Sequence, residues 1–121
     1  MTNDERVAAV RAFGFSERRA RFLLLVLEHA GVCLPRQYRT FAGIAHGRQT
    51  HDFFERLVRD GYATTDATAP VHAGRIFHVH YKPLYRAIGE PDHRHRKPMS
   101  VGRAVERLMV LDGVLAGPSV T

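Results

Sequence analysis

The chain has 121 residues, room for one domain of ordinary size with at most an appended helix. Its 45% hydrophobic and 25% charged content excludes a disordered chain, and a single cysteine excludes an internal disulfide or a four-ligand zinc site of the usual kind. Eighteen basic residues against 12 acidic leave a net charge of +6, which favours a nucleic-acid partner.

Taken in chain order, Met1-Thr2-Asn3-Asp4-Glu5-Arg6 lacks the basic-then-apolar plan of a signal peptide, so a cytoplasmic protein is expected. A short amphipathic helix is predicted from Asp4 to Phe13, closed by Gly14, with Val7 and Val10 inward. Ser16 reads as the N-cap of a second helix that runs to about Ala30 and ends at Gly31. Its run Phe22-Leu23-Leu24-Leu25-Val26-Leu27 is apolar all round and so belongs in a core, being far short of the ~20 residues of a membrane span. Cys33 follows as a small apolar residue.

Pro35 suits the first position of a third, short helix, whose apolar face is Tyr38, Phe41, Ala42 and Ala45. His46-Gly47-Arg48 breaks it, and a fourth helix spans Gln49 to Asp60 with Phe53, Phe54, Leu57 and Val58 apolar. Tyr62 to Thr65 has strand character, Asp66 to Gly74 is rich in turn formers, and Arg75 to Tyr81 alternates with Phe77, Val79 and Tyr81 on one side. These make a hairpin with a long tip. Pro83 starts a short helix over Leu84 to Ile88. The stretch Glu90 to Pro98 is charged, with a proline near each end. Ser100 caps a last helix, in which Val101, Ala104, Val105, Leu108, Leu111, Val114 and Leu115 form a stripe that must bury against something; Gly117-Pro118 stops it.

Residues 36–97 hold 11 basic and six acidic side chains, a net of +5, and seven of the eight histidines. Sixteen of the 18 basic residues are arginine, which suits bidentate contacts to phosphate or guanine.

A helix, a tight turn through His46-Gly47-Arg48, a helix ending Arg59-Asp60-Gly61-Tyr62-Ala63, and then a hairpin: this succession resembles the winged helix-turn-helix DNA-binding superfamily of MarR-, PadR- and ArsR-type regulators and plasmid replication-relaxation proteins. The resemblance covers residues 16–89. It implies a mainly α fold with a small β-hairpin wing, flanked by an N-terminal helix (1–15), a basic linker (90–98) and a C-terminal helix (99–121) suited to dimerisation. It implies sequence-specific binding of double-stranded DNA by a dimeric transcriptional regulator, with the helix from Gln49 in the major groove. Arg48, Gln49 and His51 are then the base readers. Arg56, Arg59 and Arg75, with Arg94, Arg96 and Lys97 of the linker, meet the backbone. Arg75 and His72 lie near the wing tip, where arginine reads a narrow minor groove. Asp52 and Glu55 depart from the pattern, since carboxylates are repelled by phosphate.

No cofactor, metal or catalytic activity is expected. Two other classes compete. A protein-interaction or scaffolding module on the same fold would accommodate Asp52 and Glu55. A metal-dependent nicking protein would use His78-Val79-His80 as metal ligands and Tyr85 as nucleophile, in the manner of rolling-circle enzymes. Against it stand the few strands, the closeness of Tyr85 to the triplet and the lack of a nearby carboxylate. His51-Asp52 resembles a phosphohydrolase pair only by coincidence. The many histidines raise the further expectation that DNA affinity increases as pH falls toward 6.

Overall fold

The computed structural model describes residues 1–45, 47–65 and 75–117. The expected hairpin tip with His72, together with His46 and Pro118, lies outside the described residues. The chain is mainly helical with a small three-stranded antiparallel sheet. Helix α1 (Asn3–Arg11) begins at a capping box: the Thr2 hydroxyl accepts from Glu5 N–H, and the Glu5 carboxylate accepts from Thr2 N–H. Helix α2 (Glu17–His29) starts at Ser16, as its sequence predicts, with the Ser16 hydroxyl accepting from Arg19 N–H. Its apolar run makes it the central helix: Phe22, Leu23, Leu24, Val26 and Leu27 are all buried.

Strand β1 (Val32–Cys33) was not legible, because two residues carry no periodicity. It leads into α3 (Pro35–Ala42) and α4 (Arg48–Arg59). The hairpin is β2 (Ala63–Thr65) and β3 (Phe77–Val79), each shorter than the expected runs. β3 lies in the middle, in the order β1-β3-β2, with Cys33 opposite Phe77 on one side and Thr65 opposite Phe77 on the other. Helix α5 (Lys82–Ala87), a 3₁₀ turn (Arg94–Arg96) and α6 (Val101–Ala116) complete the chain, and the Ser100 hydroxyl caps α6 by accepting from Arg103 N–H.

An aromatic chain runs through the core and fixes α4. Phe22 of α2 meets Tyr38 of α3 at 5.2 Å between ring centroids, Tyr38 meets Phe53 of α4 at 4.7 Å, and Phe54 meets Phe77 of β3 at 4.8 Å. Each such contact adds about 0.5–1.5 kcal/mol beyond the area buried. Gln37 is buried and ties α3 to α6: its Oε1 accepts from Leu34 N–H, while Nε2 donates to the Leu108 carbonyl and to Asp112. Arg36 adds a bidentate pair to Asp112 at 2.9 Å.

The stripe of α6 is divided. Ala104, Leu108 and Leu111 are buried against α2, β1 and α3, whereas Val101 and Val105 of the stripe stay exposed, as do Met109 and Val110 outside it, Val101 at 76% and Met109 at 67%. Among the described residues no helix is long and apolar enough to cross a membrane.

The stretch 90–98 is anchored to the rest of the chain. His95 is 2% exposed, its Nδ1–H donating to the Leu27 carbonyl at 3.0 Å; His78 Nε2–H donates to the His95 carbonyl at 2.6 Å, and Arg96 donates to the Pro91 carbonyl. Gly31, with φ +78°, lets this turn come close, since a Cβ there would stand 2.6 Å from His95 Cβ.

Candidate nucleic-acid interface

Helix α4 buries Thr50, Phe53, Phe54 and Leu57, spaced three, one and three residues apart on one face. The opposite face therefore exposes Arg48, Gln49, His51, Asp52, Glu55 and Arg59. His51 stands between two carboxylates, 3.8 Å from Asp52 and 3.9 Å from Glu55. Arg59 is 64% exposed and lies 3.2 Å from Asp60, whose carboxyl is held below its ordinary range by hydrogen bonds from Arg59 and then Arg56. A cavity of about 240 Å³ between α4 and β3, lined by His51, Glu55, Val58, Arg59, Arg75 and Phe77, brings Arg75 onto the same side as α4. Arg75 is half-buried, donates from Nε to the Thr65 hydroxyl at 3.0 Å and lies over Phe77.

Arg56 stands apart from this set. Its guanidinium donates to the carbonyls of Gly14 at 3.1 Å and Phe13 at 3.2 Å, lies 4.3 Å from the Phe15 ring centroid and pairs with Asp60. It staples α4 to the turn between α1 and α2. Arg19, which sequence reasoning passed over, reaches the start of α4 instead: it donates to the Gln49 carbonyl at 3.4 Å and lies over Phe53. Nothing in the local sequence signals this pairing across 30 positions.

Arg94 and Lys97 are exposed and Arg96 is half-buried, but all three lie in or directly after the 3₁₀ turn held on the C-terminal end of α2. Arg19 and Leu27 are eight residues apart, about 12 Å along the α2 axis, so the expected backbone contacts form two groups rather than one.

The residues of the rival readings are engaged in the fold. Tyr85 is buried and its hydroxyl donates to the Val79 carbonyl at 2.7 Å, while burial pushes its pKa up. The His80 pKa is lowered by burial and then by neighbouring His78. Among the described residues no three histidine, cysteine or acidic side chains stand together as metal ligands. Cys33 is buried, which raises its thiol pKa and opposes thiolate formation. No protein-family model matches this chain, and neither does any curated protein or solved structure.

Proposed function

We propose that the protein is a winged helix-turn-helix DNA-binding protein that reads double-stranded DNA with α4. The observation that carries this reading is the division of α4: four buried side chains fix its inner face, while Arg48, Gln49, His51 and Arg59 project from the outer one beside Arg75 of the hairpin. A helix so mounted fits the major groove, Arg48 suiting guanine and Gln49 adenine. Arg59 and Arg75 serve the backbone. Arg56 is left out, because its guanidinium already meets Phe13, Gly14 and Asp60. The succession α2, β1, α3, α4, β2, β3 supports the superfamily reading.

The same reading makes the protein a dimeric transcriptional regulator of the cytoplasm, paired through the outer face of α6, where Val101, Val105, Met109 and Val110 are exposed. Sedimentation equilibrium tests the pairing: a two-fold species is expected that Val105→Glu with Met109→Glu abolishes, and a monomer at ~100 µM rules it out.

Selection of bound duplexes from a random library at about 0.15 M salt tests the main reading. Enrichment of a defined motif is expected. Arg48→Ala then costs about 1–3 kcal/mol on that motif and relaxes preference at one base, whereas Arg59→Ala weakens all sequences alike. Asp52 and Glu55 on the outer face favour a protein-interaction module as the second reading. No enrichment, with affinity that does not fall with salt, would select it.

A further inference from the structure

The first turn of α6 and the 3₁₀ turn before it enclose a cavity of about 320 Å³. Arg94, Lys97, Arg103 and Arg107 line it, together with His95 and Ser100. No carboxylate is among the lining residues; Arg103 lies 3.8 Å from Glu106, which is itself largely exposed. Four cations around one cavity repel one another unless an anion joins them. The amide end of α6, a helix of 16 residues, adds further positive potential at the same place.

The cavity wall is built rather than loose. The turn that carries Arg94 and Lys97 is fixed from below by the hydrogen bonds from His95 to Leu27 and from His78 to His95, and by the close approach to Gly31. A ligand meeting cations on such a wall loses little to ordering the protein. A second, independent feature belongs to His95, a residue of the same wall. His95 donates through Nδ1–H, so its Nε2 is an acceptor, and that atom is buried with no hydrogen-bond partner. Buried polar atoms without partners are uncommon in folded proteins and mark places where a ligand or water completes the structure.

We propose that this cavity is a binding site for closely spaced phosphate groups, of the pyrophosphate class, separate from the surface of α4. The proposal does not rest on DNA reading by α4, since the two places lie toward opposite ends of α2. The phosphates come from a free diphosphate-bearing small molecule or from a nucleic-acid backbone, and the same chemistry recognises both.

The test is calorimetric titration of the intact chain with inorganic pyrophosphate at constant ionic strength, with amide shifts followed by NMR. Saturable 1:1 binding at about 10–100 µM is expected, with shifts centred on residues 94–107. Lys97→Gln with Arg107→Gln should weaken it by about tenfold or more, and Arg94→Gln alone, at an exposed position, by several-fold. Arg18→Gln with Arg86→Gln removes the same net charge from exposed positions elsewhere and should leave binding within about twofold. Thermal melting establishes that each variant is folded. No saturable binding up to about 5 mM, or equal losses from both double variants, would overturn the proposal. A duplex arm then identifies the source. Competition between pyrophosphate and duplex points to the nucleic-acid backbone, and independent binding of the two points to a free small molecule.

Discussion

Two stretches of this chain look alike as sequence, the outer half of α4 and the turn 93–97, since each is dense in arginine and histidine. In the fold they behave differently. On α4 the helical period separates the roles, so that Phe53, Phe54 and Leu57 go inward and Arg48, His51 and Arg59 go outward. In the turn there is no period, and local hydrogen bonds decide: His95 goes into the core on Leu27, while Arg94 and Lys97, on either side of it, face solvent. Charge density on a regular helix therefore identifies an outward face, where direction follows from position. In an irregular turn the same density is equally compatible with an anchor.

The sharpest way to break this contrast is at Gly31. Gly31→Ala should destabilise the fold by about 3 kcal/mol or more, because a Cβ on a backbone at φ +78° would collide with His95. Urea unfolding measures it, and a loss under ~1 kcal/mol would mean that the turn is not anchored there. Acid should act on the same anchor. Burial lowers the His95 pKa from about 6.5 to about 4, so between these values the unfolded chain binds a proton that the folded chain does not. Stability should therefore be full above pH 6.5 and fall by up to about 3 kcal/mol as the pH drops to 4, with His80 adding a change of the same sign. The fall in urea midpoint should shrink in His95→Gln; an unchanged profile would place the effect elsewhere.

On α4 the contrast can be sharpened within a single turn of helix. Arg56→Ala should cost about 1–2 kcal/mol through loss of the Phe13 and Gly14 contacts and of the Phe15 stacking. Arg59→Ala should leave the melting temperature unchanged, its guanidinium being open to solvent beside Asp60. Equal melting shifts from the two would remove the distinction between stapling and outward arginines.

Much of the helical framework is legible in the sequence because it rests on local signals. The Ser16 and Ser100 caps, Pro35 at the start of α3 and the 3.6-residue period of α4 are each contained within a few positions. What escapes reading depends on distant partners. Val32–Cys33 becomes a strand only because β3 lies beside it, with Val32 opposite His78, 46 positions later in the chain. Arg56 finds carbonyls 42 and 43 positions away. The division of α6 follows from its angle to α2 and α3, which a stripe counted along one helix does not contain. Of the candidate surface, the α4 residues were legible, and their separation from Arg94, Arg96 and Lys97 was not.

The bracket of Arg36, Gln37 and Asp112 joins α3 to α6 through side chains rather than through a tether. In the proposed pair built on the outer face of α6, this bracket connects α3, the helix before α4, to the pairing surface. On the proposed reading such a bracket ties half-site spacing to the pairing surface, since one inserted base pair turns a half-site by roughly 35° about the duplex axis. On that reading, operator spacing, rather than operator sequence alone, would then depend on the hydrogen bonds around Gln37.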